Sequence, residues 1–205
     1  MTQSTPSFNL WHEPWITVER LDGKLDILNI RQVLTKAHHI RALYEPSPLD
    51  GFSIHRLLVA ILQDAYQPES RRDLKKLWQD GQFSTALLQP FEQRYAARFD
   101  LFSAKAPFLQ SADLSLQPAK TDKPKPVGYL LLEQPAGTAV THYTHAYDDT
   151  QQFCSHCAAK GLLVIPAFAS SGGAGIKPSI NGVPPIYVLP GGQTLFASLC
   201  ASLTL

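Results

Sequence analysis

Phe8-Asn9-Leu10-Trp11-His12-Glu13-Pro14-Trp15-Ile16-Thr17-Val18-Glu19-Arg20-Leu21-Asp22-Gly23-Lys24-Leu25-Asp26-Ile27-Leu28-Asn29-Ile30 is the stretch that decides the fold class. Trp15 to Val18 is aromatic and β-branched, which suits a pleated, half-buried strand. Lys24 to Ile30 alternates apolar and polar side chains, the period of a second strand. Leu21-Asp22-Gly23-Lys24 lies between them with Asp-Gly at its centre, and that pair favours the backbone of a hairpin turn. Residues 8–30 therefore read as β structure.

Beyond the hairpin the period changes to that of helices. Arg31 to Ala42 places Val33, Leu34, Ala37 and Ile40 on one side, and Glu45-Pro46-Ser47-Pro48 breaks it. Phe52 to Ala65 repeats Leu57, Leu58, Ile61 and Leu62 at helical spacing, with Ser53 as a candidate cap. A basic polar helix is expected over Ser70 to Asp80, ended by Gly81, and another over Ser84 to Arg98, bent near Pro90. Ser111 to Val127 is polar, contains three prolines and reads as a long surface loop. A short strand is expected at Tyr129 to Leu132, a helix over Phe153 to Phe168, a Gly/Pro/Ser-rich loop over Ser170 to Pro185, a strand at Ile186 to Leu189, and an apolar helix over Thr194 to Leu205. A β hairpin followed by helices makes the fold α+β: a mixed domain with an N-terminal hairpin, several helices and long irregular loops. The apolar run reaches Leu205 without a cap or polar tail, and the expectation is that more protein follows it.

Composition sets the outer bounds. The 205 residues suffice for one sizeable domain or a large part of one. Hydrophobic residues at 44% and charged residues at 17% rule out wholesale disorder. A formal net charge of +1 excludes a polybasic nucleic-acid binder, so any such contact must come from local patches or backbone donors. No apolar run is long enough for a bilayer, and Met1 to Phe8 lacks the features of a signal peptide, which points to the cytoplasm. Three cysteines in that setting suggest a metal or plain burial before a disulfide.

Several clusters carry possible chemistry. Cys154-x-x-Cys157 has the spacing for two thiolates on one tetrahedral Zn²⁺, half of a site. His142 and His145 offer a local way to complete it, against the alternative of two ordinary helix-start cysteines and solvent-facing histidines. Gly172, Gly173 and Gly175 would let backbone N–H groups approach a phosphate or a groove floor, with Lys177 adding a phosphate contact. The alternative there is a plain surface loop, and no Lys-Ser/Thr pair follows to make it a P-loop. Thr138, Thr141 and Tyr143 lie in a polar stretch where Tyr143 could stack on a base. Lys120, Lys123 and Lys125 could steer DNA, at screened strength. Arg71, Arg72, Lys75 and Lys76 are balanced by Asp73 and Asp80 and read as a solvated face. Trp11, Trp15 and Phe8 read as core, as does Cys200. A metal-dependent hydrolase built on His142, His145, Asp148 and Asp149 is a competing reading that lacks a recognisable ligand spacing.

Five segments resemble one family in order. Phe8-Asn9-Leu10 with Glu13-Pro14-Trp15-Ile16 and Val18 is similar to the start of the large, CasA-type subunit of the type I-E CRISPR Cascade complex. Arg98-Phe99-Asp100-Leu101-Phe102, Pro107-Phe108-Leu109-Gln110, the Cys154/Cys157 pair, and Gly172-Gly173-Ala174-Gly175-Ile176-Lys177-Pro178-Ser179-Ile180-Asn181-Gly182 match further segments. Ala174 departs from the family's glycine run. The resemblance implies that residues 1–205 are the N-terminal part of an α+β domain, the rest of that domain and a C-terminal helical bundle being absent. It also implies a subunit without catalytic activity, one that recognises the protospacer-adjacent motif in target double-stranded DNA, contacts the guide RNA 5′ end and other Cascade subunits, and recruits a helicase-nuclease. Guide pairing would read the remaining sequence, as in other RNA-guided effectors. By position, Thr138, Thr141 and Tyr143 resemble the loop facing the guide-RNA end, and a second cysteine pair beyond residue 205 would complete the Zn²⁺ site. A zinc-dependent interaction module without nucleic-acid contact is the remaining alternative.

Overall fold

The computed structural model describes residues 6–113, 126–133, 152–168 and 186–205. Strand β1 (Ile16–Arg20) and strand β2 (Leu25–Leu28) pair antiparallel, Ile16 opposite Leu28 and Val18 opposite Asp26. The turn is one residue longer than a two-residue loop. Arg20 and Lys24 close it at 2.9 Å, and Gly23 takes the left-handed position at φ +80°, which a side chain would strain.

The expected helix from Arg31 to Ala42 is only half correct. Helix α1 covers Ile30–Thr35, held by a capping box in which Asn29 and Gln32 exchange side-chain and backbone bonds. The chain then tightens through a 3-10 turn at Ala37–His39 and enters β3 (Ile40–Leu43). This strand pairs antiparallel with the other edge of β1, giving the sheet order β2-β1-β3. The free edge of β1 overrides the helical period: Ile40 still reaches the core, as a strand residue. On this sheet Ile16, Val18, Leu28 and Ile40 face inward.

Helix α2 (Pro48–Tyr66) starts before the expected Phe52, because the prolines begin it rather than only ending what precedes. Ser47 caps it, Pro48 stands in its first turn, and Ser53 is buried inside it. Helix α3 (Arg71–Asp80) carries the Ser70/Asp73 capping box and ends on Gly81 at φ +70°. Helix α4 (Thr85–Tyr95) holds Pro90 internally and passes into a 3-10 turn at Ala96–Phe99. Helices α5 (Ser155–Phe168) and α6 (Leu195–Ala201) complete the described elements. Two expected strands are absent among the described residues. Val127–Leu130 forms a 3-10 turn packed on α5, where a Cβ on Gly161 would come within 2.6 Å of Leu130 Cβ. Ile186 to Leu189 has no ladder partner among the described residues, and Ile186 is 93% exposed.

One core joins these parts: Trp11, Trp15, Leu34, Ile54, Leu58, Leu62 and Leu199 are fully buried or nearly so. Cys200 belongs to it as expected, and burial pushes its thiol pKa up to about 12. Among the described residues no helix is long and apolar enough to cross a membrane.

Candidate functional site

The N-terminal segment is stitched to a distant part of the chain. Asn9 Nδ2 donates to the carbonyl of Ala96 at 2.8 Å, while Asn9 Oδ1 accepts from the N–H of Trp11 at 2.9 Å. Leu10 N–H donates to the Phe99 carbonyl and Leu101 N–H to that of Phe8. Asp100 Oδ1 accepts from the N–H groups of Phe8 and Phe102. Burial opposes its charge, but these two bonds and the Ser7 hydroxyl outweigh burial and hold its pKa below the ordinary carboxylate value. Phe108 N–H reaches the Asp100 carbonyl, and the Phe99 and Phe108 rings stack at 5.4 Å. Segments separated by about ninety residues thus form one knot, fixed by backbone bonds together with the Asn9 and Asp100 side chains.

The start of α5 adjoins that knot, with the His156 ring 5.3 Å from Phe8. The Cys154 carbonyl accepts the N–H of Ala158 in the first helical turn. The Cys154 and Cys157 sulfurs are in hydrogen-bond contact 3.4 Å apart, and both residues are exposed and free of a disulfide. The two thiols are unequal. The backbone N–H and thiol of Cys157 lower the Cys154 pKa against a smaller burial penalty, helped by Lys160. Burial and the neighbouring Cys154 raise that of Cys157. A tetrahedral Zn²⁺ holds its sulfurs about 3.8 Å apart, so this pair needs little movement to serve as two ligands. Among the described residues no cluster of three or more His, Cys, Asp or Glu side chains completes a metal site. The donor chemistry fits half a zinc centre.

Beneath the cysteines lies a charged seam that sequence reading missed. Lys160 Nζ on α5 meets Glu45 Oε2 at 2.5 Å, and the Glu45 side chain is fully buried. Its other oxygen accepts the N–H of Thr17 on β1 at 3.1 Å. Asp50 on α2 faces the same seam. Burial first, then Glu45, raise its pKa, while Lys160 lowers it. Glu133 closes the seam by accepting from the Ser47 hydroxyl. The only sequence signal was the Glu45-Pro46-Ser47-Pro48 break, whose acidic residue has no place in a plain helix-breaking loop.

Four of the five resembling segments have described residues. The first three form the knot, and the cysteine pair sits beside it. The glycine stretch with Gly172, Gly173, Gly175 and Lys177 lies outside the described residues. So do Thr138, Thr141, Tyr143, His142, His145, Asp148 and Asp149, and the lysines at 120, 123 and 125.

The sequence profile of CRISPR-associated protein Cse1 matches residues 9–204, almost the whole chain. The chain belongs to the Cse1 family of CRISPR-associated proteins. The CasA/Cse1 protein of Thermus thermophilus is 34% identical across 98% of this chain, which spans 40% of that relative's length. The crystal structure of Cse1 from Acidimicrobium ferrooxidans superposes with a TM-score of 0.77 at 27% identity, over 98% of this chain and 39% of that one. A solved CRISPR RNA-guided surveillance complex holds a chain of the same fold, with a TM-score of 0.77 at 21% identity, over 97% of this chain and 44% of that one. The knot of Asn9 and Asp100 is thus part of a Cse1 fold, and the cysteine pair lies on its surface.

Proposed function

We propose that this chain serves as a non-catalytic subunit of an RNA-guided antiviral surveillance complex in the cytoplasm. The family match across residues 9–204 carries the reading. In this reading residues 1–205 are the N-terminal part of the large subunit's α+β domain. The chain helps recognise the protospacer-adjacent motif in double-stranded target DNA, contacts the guide RNA 5′ end, packs on other Cascade subunits and assists recruitment of the helicase-nuclease. Gly172, Gly173 and Gly175 approach the minor groove of the adjacent motif through their backbone, since a Cβ would strike the groove wall or forbid the required φ. Lys177 adds a phosphate contact, and Thr138, Thr141 and Tyr143 face the RNA end.

The test is target binding by the reconstituted complex. Gly173→Leu or Gly175→Leu is expected to weaken binding at least tenfold while thermal stability stays unchanged. Normal melting with undiminished binding would show the stretch to be a connection only. Normal binding when the whole chain is left out would remove the subunit role itself. The cysteine pair favours one second reading, a zinc-dependent module that joins subunits without touching nucleic acid. In that case chelation would dissociate the complex while the glycine variants behaved as wild type.

A further inference from the structure

Helix α3 presents a face that the fold does not use. Leu77 is buried and Leu74 half-buried, and together they seat the helix on the core. At 3.6 residues per turn, Arg71, Lys75 and Trp78 fall within an arc of about 60° on one flank of the helix next to Leu74, and Arg72 and Lys76 continue the cationic side beyond Lys75. All five are exposed, and Trp78 is 53% exposed. Trp11 and Trp15, the other two tryptophans, are fully buried.

Among the described residues none of the ion pairs involves Arg71, Arg72, Lys75 or Lys76, although Arg72 is felt by the Asp73 carboxylate. Asp73, one of the helix's own two carboxylates, is engaged at the helix start. Its Oδ2 accepts from Ser70 Oγ at 2.7 Å and from the N–H groups of Ser70 and Glu69. Asp80 stands on the far side of the helix at its last residue. The composition-level balance of acids and bases is therefore not a spatial one. A solvated face needs cations but no bare indole. An apolar protein partner would want more than one hydrophobic anchor among the charges, and Trp78 is the lone exposed large hydrophobic of α3.

We propose that Arg71, Lys75 and Trp78 form a binding face for single-stranded nucleic acid, with Trp78 stacking on an unpaired base and the cations meeting flanking phosphates. Cations beside an aromatic platform are the recurring means of holding a single strand without reading its sequence. An unpaired base is required, because the rings within a duplex are already stacked on each other. RNA and displaced DNA offer the same chemistry here. The proposal rests on the reading of the chain as a nucleic-acid-contacting subunit, yet it concerns a surface separate from the glycine stretch.

Tryptophan fluorescence tests it on the whole chain, because the two buried indoles contribute a fixed background. Titration with oligo-dT and oligo-U is expected to quench Trp78, and a blunt duplex of equal length to quench it far less. Stronger quenching by one single strand identifies the source as RNA or DNA. Two cations on phosphates give a slope of log affinity against log salt of about −1.4, and Arg71→Gln with Lys75→Gln should nearly abolish it. Trp78→Ala should weaken single-strand binding about five- to hundredfold, while Trp78→Phe keeps most of it. These surface variants should melt as the wild type does. Three results would overturn the proposal: no quenching by either oligonucleotide, binding by Trp78→Ala at wild-type affinity, or equal quenching by poly-glutamate, which would reduce the face to a generic anion surface. A reconstituted complex that binds its target normally with Trp78→Ala but not with Gly173→Leu would remove this face and leave the subunit reading standing.

Discussion

Replacing Lys160 by Met tests whether the charged seam holds α5, and with it the cysteine pair, against the sheet. Methionine keeps the length and most of the volume of lysine and deletes only the charge. Glu45 would then be left fully buried, with Thr17 N–H as its remaining described partner. Removing one member of a buried pair costs about 3–5 kcal/mol. The surviving Thr17 bond and the 16% exposure of Lys160 place this case near about 3 kcal/mol. For a chain of this size each kcal/mol lowers Tm by about 2–4 °C, so a drop of about 6–12 °C is expected. The loss should shrink as pH falls, since Asp50, whose pKa is raised by burial and by Glu45, no longer needs the ammonium once protonated. The pair itself is not the point of stability, so Glu45→Gln combined with Lys160→Met should recover most of the loss: the amide oxygen still accepts from Thr17, and no charge is stranded. Urea denaturation of wild type, single and double variants measures all of this. A Lys160→Met variant within about 1 kcal/mol of wild type would refute the reasoning, because an isolated buried carboxylate cannot be that cheap.

Two further outcomes are expected. His55 Nε2 lies 2.9 Å from Ser202 Oγ, whose proton is given to the Ser198 carbonyl, so the imidazole donates from Nε2. Burial holds its pKa below 6.5 in the native state, so below pH 6.5 the unfolded chain takes up a proton that the native chain refuses, and stability falls with pH. Thermal melts from pH 7.5 to pH 5 should show the wild type losing ground to His55→Gln, while His38, also lowered by burial, titrates in both and cancels. A constant difference between the two would remove this assignment. For the metal, mass spectrometry is expected to find about one Zn²⁺ per chain in a full-length relative carrying a second cysteine pair, and substoichiometric Zn²⁺ or none in this chain. Tight stoichiometric binding that is lost in His142→Ala or His145→Ala would transfer the site to the local histidines.

The hairpin and the positions of α2, α3 and α5 were legible because their signals are local. Asp22-Gly23 and Ser70/Asp73 act within a few residues of themselves, and no distant partner can easily reverse them. Residues 36–43 were misread for the opposite reason. Val33, Leu34, Ala37 and Ile40 fit a helical stripe, but the chain is taken up by the vacant edge of β1, a demand set by a segment twenty residues earlier. Tyr129 to Leu132 failed similarly. Its short apolar run suits a strand, yet its place is on α5 at Gly161, where a compact 3-10 turn fits and a side chain would not. Ser53 looked like a cap because the start of α2 was placed after the prolines, whereas Pro48 belongs inside its first turn.

The site divides along the same line. The spacing of Cys154 and Cys157 is a local statement, and the 3.4 Å between their sulfurs follows from one turn of helix. Their inequality is mostly local too: the backbone N–H and thiol of Cys157 lower the Cys154 pKa, while burial raises that of Cys157. What is not local is the anchoring of α5, whose Lys160 is held by Glu45, a residue more than a hundred positions away that no pattern links to a cysteine. The same holds for the α3 face. Counting Arg71, Arg72, Lys75 and Lys76 against Asp73 and Asp80 gives a helix that is half neutralised. That count treats every carboxylate as available, and Asp73 is already occupied by Ser70 and Glu69. A capping carboxylate is tied to the first turn by geometry, so it cannot also neutralise cations further along the helix. The capping pattern was visible in the sequence, and its consequence for charge balance follows from the hydrogen-bond count alone. With Asp73 spent at the cap and Asp80 alone left against four bases, α3 is a cationic surface.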